Sequence, residues 1–361
     1  MTSAGSRNTA CLQPATGLWT MYRPEDARYA FRATEADQAS LWQAETRETL
    51  ADRLGLSTIP SAPPEATVLE DVDKGDYTRR KLQIWTGPDT LMPVYLLLPK
   101  AADGPLPVVL ALHGHGYGVK DIVGLREDGS ERDTPEGYQK DFAVSICKAG
   151  FAVAAPELSC FGERRTDFSH INTQIGQGIP DTCAHTAMLA FHLGISVVGL
   201  RVHDAMCLLD YLETLDCLDS DRVGAMGISG GGMNTFFLTC LDQRIRACVV
   251  SGYYSTFRDS IHGMLHCACN YVPGLAEFGE MYDLVGLIAP RPMLVEAGSR
   301  DPIFPIGAVR KSVARARSVY DVFGARKSVQ TDYFEGDHQI SGRKAWKFLC
   351  DQLNKTGDAL R

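Results

Sequence analysis

Gly227-Ile228-Ser229-Gly230-Gly231 sets a serine among glycines, after the apolar run Val223–Met226 and before a helical stretch from Gly232 to Cys240. A serine hydroxyl is too weak an acid to attack a carbonyl unaided, so it needs a base within hydrogen-bond reach. Glycine fills 34 of 361 positions, so the five-residue match alone carries little weight. Its context carries more. A nucleophile on a tight strand-to-helix turn needs small neighbours, and three glycines supply them. Three histidines follow Ser229: His262, His266 and His338. His338 comes just after a predicted strand, residues 328–334, where a base would stand. The acid that orients it should follow an earlier strand. Asp301 does so, four residues beyond the apolar run that ends at Ala297. Asp337 competes by proximity, but side chains of adjacent residues diverge. The expected catalytic set is therefore Ser229 as nucleophile, His338 as base and Asp301 as orienting acid.

An acyl-transfer intermediate also needs two preplaced N–H donors. Gly230, directly after the serine, is one. The other should come from a glycine-rich loop after an early strand. Leu112-His113-Gly114-His115-Gly116 fits, which makes the His115 amide the second oxyanion donor. This chemistry asks for no cofactor and no metal. His113 and His115 alone are too few ligands for an ion. His262, His266, Cys267 and Cys269 form a denser cluster, but their spacing matches no common zinc pattern. They read as packed imidazoles and buried thiols.

These residues need a frame. Trp42, Thr46, Leu50 and Leu54 recur at four-residue spacing and predict a helix over 34–54, stopped at Gly55. Residues 1–34 are unperiodic and read as a surface arm. A Pro-rich linker spans 59–64, so residues 1–64 form an N-terminal arm and helix and residues 65–355 the catalytic domain. Segments 67–73, 79–86 and 91–98 read as antiparallel strands. Strands near 108–112, 151–155, 223–226, 247–251, 293–297 and 328–334 then alternate with helices. Those helices are expected after Phe142 and over 196–215, 232–240, 306–323 and 340–353. Such alternation implies a mainly parallel sheet covered on both faces. Two long insertions, 158–194 and 253–283, interrupt it at strand ends, on the edge where open α/β sheets place their sites.

The composition excludes several classes. Net charge is −8 with no Lys/Arg run, which argues against nucleic acid and anionic membranes as partners. No stretch reaches the ~18 apolar residues of a membrane span. Met1–Thr20 contains no apolar core of a secretory signal, and eleven cysteines lie without regular spacing. Buried thiols and a cytoplasmic location are expected. The expected partner is a small-molecule ester, and the N-terminal helix could serve a contact between two copies.

The chain resembles the acetyl-xylan-esterase-like and dienelactone-hydrolase-like branch of the α/β-hydrolases. The resemblance rests on His113-Gly114-His115-Gly116, the Ser229 elbow, Ile288-Ala289-Pro290-Arg291-Pro292, Gly298-Ser299-Arg300-Asp301 and Gly336-Asp337-His338. The block from Asn270 to Pro305 is the most family-specific part. The resemblance implies the α/β-hydrolase fold, with an eight-stranded, mostly parallel sheet, and a metal-free acyl-enzyme mechanism. Two departures matter. Dienelactone hydrolases use cysteine where this chain has Ser229. The sugar deacetylases carry glutamine where it has Gly230. Gly162-Glu163-Arg164 also matches the family, with Arg164 either binding substrate or pairing with a buried carboxylate. A serine carboxylesterase for short acyl groups is thus the first reading. Another serine acyl-transfer hydrolase, such as a peptidase, amidase or C–C bond hydrolase, is the second. A non-catalytic binding protein is the third, although all three triad members are present. The insertions carry Phe161, Phe168, Tyr253, Tyr254, Phe257, Tyr271 and Phe278, which either wall a small acyl pocket or pack the insertions onto the domain.

Overall fold

The computed structural model describes residues 12–100, 104–168 and 181–354. Nine strands form one sheet: β1 (Ala66–Asp73), β2 (Tyr77–Gly87), β3 (Thr90–Pro99), β4 (Leu106–Leu112), β5 (Ala152–Pro156), β6 (Leu218–Ile228), β7 (Ile245–Ser251), β8 (Met293–Gly298) and β9 (Val329–Phe334). The helices are α1 (Pro14–Met21), α2 (Ala36–Leu54), α3 (Phe142–Lys148), α4 (Thr182–His192), α5 (Val197–Leu212), α6 (Gly230–Leu241), α7 (Met281–Leu284), α8 (Ile306–Val322) and α9 (Ala345–Leu353). The sheet order is β1-β2-β3-β5-β4-β6-β7-β8-β9. Pairing is antiparallel from β1 through β5 and parallel from β5 to β9. This is the α/β-hydrolase fold.

All nine segments read as strands from the sequence are strands. The ninth, beyond the eight implied by the resemblance, fits β1, a largely exposed edge paired only with β2. The central strands β5 and β8 are buried along their whole length, as strands covered on both faces must be. Two apolar layers cover the sheet. One contains α2, α5, α6 and α8; the other contains α3 and α9.

The N-terminal segment packs against this body. Leu50 and Leu54 of α2 are fully buried in the larger core. Arg47 donates to the carbonyls of Cys240 and Leu287, and Gln43 to those of Gly286 and Ala289. Residues 14–21, read as part of an unperiodic arm, form α1. The Trp19 and Tyr22 rings at its C-terminal end meet His262 edge-on. The last helix starts at Ala345 rather than near 340. Gly342 takes a left-handed φ of +68°, which no right-handed helical turn contains, and buried Glu296 accepts the Ser341 and Gly342 N–H groups.

Candidate active site

Ser229 closes β6 and precedes α6 with φ +57° and ψ −120°, a backbone region that non-glycine residues rarely occupy. The turn is possible because its neighbours have no side chains. A Cβ on Gly231 would stand 1.8 Å from the Leu112 carbonyl oxygen. The Ser229 N–H donates to Ser251 O at 3.1 Å, which ties the elbow to β7. Gly230 is the first residue of α6, so its N–H is one of the donors that a helix start cannot use internally.

The His115 amide is fixed by its own peptide plane. The His113 ring accepts from Leu158 N–H through Nε2, so its Nδ1–H donates to Gly114 O at 2.8 Å. In a trans peptide the N–H points opposite to the C=O. Anchoring Gly114 O therefore turns the His115 N–H away from His113. Gln139 accepts the Gly114 N–H and Tyr138 donates to His115 O, which holds both ends of the loop.

His338 and Asp301 meet as expected. His338 Nδ1 lies 2.7 Å from Asp301 Oδ2. The other carboxylate oxygen accepts from the Ile303 and Phe304 amides at 2.9 and 3.0 Å. The carboxylate is thus oriented by three donors. The imidazole stacks between Tyr138 and Phe304, with ring centroids 5.5 and 5.7 Å away. Beneath it runs Gly252, where a Cβ would come within 2.9 Å of the ring. His338 Nε2 is buried and has no hydrogen-bond partner among the described residues. Ser229, Gly230, His115 and His338 all line one cavity of about 290 Å³. Asp337, the competing carboxylate, instead faces Arg300 on the surface.

Several supports were not visible in the sequence. Tyr138 and Phe304 had no motif to mark them. Glu296 lies inside β8 and looked like a strand residue, yet it clamps Ser251, Ser341 and Gly342 together behind His338.

Among the described residues only the second insertion lines the cavity, and it does so without its aromatic residues. The cavity's walls are Leu265, His266, Cys267 and Asn270 from that insertion, with Tyr138, Ile303 and Phe304 from elsewhere. Tyr253, Tyr254, Phe257 and Phe278 are core residues, so these aromatics pack the second insertion onto the domain. Phe161 lies edge-on to both His113 and His115, and Phe168 meets His185. Residues 169–180 of the first insertion lie outside the described residues.

The His262–Cys269 cluster divides. His262 stands among Trp19, Tyr22, Phe257 and Tyr271. His266 shares a hydrogen bond with the Ser260 hydroxyl, and burial lowers its pKa first of all. Cys267 and Cys269 turn the other way, toward His115 and Cys183. Burial pulls the His115 imidazole down, but hydrogen bonds with Cys267 and Cys269 outweigh it and raise it to about 9.

Arg164 proves to be the partner of a buried carboxylate. It lies 2.6 Å from Asp204, which also accepts from the Ser159 hydroxyl. Burial pushes the Asp204 carboxyl up, yet Arg164 and its hydrogen bonds hold it below its ordinary value. Replacing Arg164 with methionine should cost about 3–5 kcal/mol of stability, because it leaves an uncompensated buried charge. Since the folded-state pKa is depressed, this stabilisation is present at neutral pH and lost as pH falls through the folded value. Urea unfolding of both proteins at pH 7 measures the loss. An unchanged midpoint with a raised KM would instead make Arg164 a substrate ligand.

Known proteins resemble the chain at several distances. YtaP of Bacillus subtilis, a provisionally named hydrolase, is 29% identical over 244 residues, covering 64% of this chain and 73% of that protein. A provisionally named acetyl xylan esterase of Bacteroides fragilis superposes with a TM-score of 0.74 at 17% identity, over 92% of this chain and 84% of the other. A glucuronoyl esterase from Solibacter usitatus does so with a TM-score of 0.63 at 18% identity, over 90% and 97%. At such identities the two structures speak for the shared fold. The family model speaks for descent: it matches residues 14–336, from α1 to the loop that carries His338, and the chain belongs to the Abhydrolase family.

Proposed function

We propose that this chain is a serine carboxylesterase that cleaves short-acyl, acetyl-like esters through an acyl-enzyme. The observation that supports the reading is that Ser229, Gly230, His115 and His338, the last paired with Asp301, line one small cavity. Names of fold neighbours, an acetyl xylan esterase and glucuronoyl esterases among them, support ester chemistry.

The chemistry follows from the positions. Ser229 Oγ attacks the ester carbonyl while His338 Nε2 takes its proton. Asp301 stabilises the imidazolium that results. The negative charge that forms on the carbonyl oxygen is met by the Gly230 and His115 N–H groups. The tetrahedral species collapses, and His338 returns the proton to the departing alkoxide. A water then attacks the acyl-serine, giving its proton to the same nitrogen, and the carboxylic acid leaves with Ser229 restored.

Substrate length follows from the size of the cavity. A cavity of about 290 Å³ sits at the small end of ligand pockets. Ile303 and Phe304 line its apolar side, together with the exposed Leu265. A methylene that fits or clashes in such a pocket is worth about 1–3 kcal/mol, so rates should fall steeply with acyl length. The test is kcat/KM across p-nitrophenyl acetate, butyrate, hexanoate and octanoate. Acetate or butyrate should be hydrolysed fastest. A maximum at octanoate would mean an open acyl groove and would overturn the short-acyl reading.

A further inference from the structure

We propose that His115, Cys183, Cys267 and Cys269 bind a structural zinc ion that ties the oxyanion loop to both insertions. One ligand atom from each of the four residues lies within 4.8 Å of every other. His115 Nε2 is 3.6 Å from Cys269 Sγ. A tetrahedral zinc with bonds of about 2.3 Å to sulfur and about 2.0–2.1 Å to nitrogen separates its ligand atoms by roughly 3.5–3.8 Å. The cluster is therefore already near the size of the ion's coordination shell. Three sulfurs and one imidazole are also a donor set typical of closed, four-coordinate zinc sites.

A second observation points to the same place. Arg201 is fully buried beside the cluster, with its Nη2 3.9 Å from Cys183 Sγ. Its other hydrogen bonds go to the Ser159 carbonyl, Nη1 has no partner, and no carboxylate pairs with it among the described residues. A buried guanidinium needs an anion nearby. Three thiolates, one neutral imidazole and one divalent zinc sum to a single negative charge, which offsets it.

The ligands come from distant stretches of chain. His115 belongs to the loop after β4, Cys183 to the first turn of α4, and Cys267 and Cys269 to the second insertion. An ion there would staple three loops over the sheet edge. All four positions would be filled by protein, so it would leave the acyl-transfer chemistry to Ser229. The zinc assignment stands whether or not Ser229 is a nucleophile.

The test begins with the full-length chain purified under reducing conditions from zinc-supplied cells. Elemental analysis should find one zinc per chain. Cys183→Ser and Cys269→Ser should each reduce it to near zero, while Cys240→Ser, at a buried thiol elsewhere, should retain it. If the serine variants fail to fold, the unaltered chain still decides. Loaded with cobalt in place of zinc, it should show the thiolate charge-transfer and ligand-field bands of a tetrahedral sulfur site. A zinc-free chain without cobalt bands would overturn the proposal. So would a disulfide between any two of Cys183, Cys267 and Cys269 that persists in the chain purified under those conditions, detected by mass spectrometry after alkylation of the free thiols.

Discussion

Replacing Ser229 with alanine should lower kcat for a short ester by about 10⁴-fold or more while leaving the fold intact. The substitution removes one oxygen from a residue held by its backbone. The N–H to Ser251 O and the turn itself do not involve the hydroxyl. Alanine inherits the same positive φ as serine, so no new strain arises. What is lost is the atom that forms the covalent bond. The cavity and the two amides remain and should still bind the ester, so KM should change far less than kcat. An activity-based phosphonate should label Ser229 in the parent chain and nothing in the variant, and far-ultraviolet circular dichroism should coincide for the two. Full activity in the variant, or phosphonate on another residue, would remove Ser229 from the mechanism.

The parts of this site that were legible share a cause. Ser229, Asp301 and His338 each stand one short step beyond an apolar strand, and a parallel sheet lines up such strand ends at one edge. Local pattern therefore sufficed to bring together residues more than a hundred positions apart. The same holds for Gly230 and His115, which line the cavity beside Ser229. Residues that act through tertiary contact were not legible. Glu296 looks like any polar residue inside a strand. Its function as a clamp exists only once Ser251, Ser341 and Gly342 have gathered around it. The cysteines show the limit most clearly. Cys267 and Cys269 are adjacent enough to draw attention, and sequence proximity pairs them with His262 and His266. The fold breaks that grouping, because the aromatic cage of Trp19, Tyr22 and Phe257 takes His262 while α4 delivers Cys183. Nothing in the spacing between 183 and 267 announces that meeting. The aromatic residues of the insertions were likewise ambiguous, since burial in a core and exposure to a pocket demand the same composition.

Asp301 and His338 should fail together rather than separately. In Asp301→Asn the remaining carbonyl oxygen can still accept from the Ile303 and Phe304 amides, so the side chain keeps its place. Its amide nitrogen then faces His338 Nδ1 where a carboxylate oxygen stood. A donor there makes Nδ1 an acceptor and moves the ring proton to Nε2. That is the nitrogen which must be bare to take the proton from Ser229. The loss should be on the order of 10³–10⁴ in kcat, with little change in KM. His338→Ala removes the base itself and should cost at least as much. The double variant is the decisive member of the cycle. If Asp301 acts only by orienting and stabilising His338, it has nothing left to do once the ring is gone, and the double variant should be scarcely slower than His338→Ala. Losses that add in free energy would show that Asp301 supports catalysis by another route, such as holding the Ile303–Phe304 wall of the cavity. Thermal unfolding of all four proteins separates the cases further, because a wall-building Asp301 would lower Tm in proportion to its effect on rate, whereas an orienting one would not.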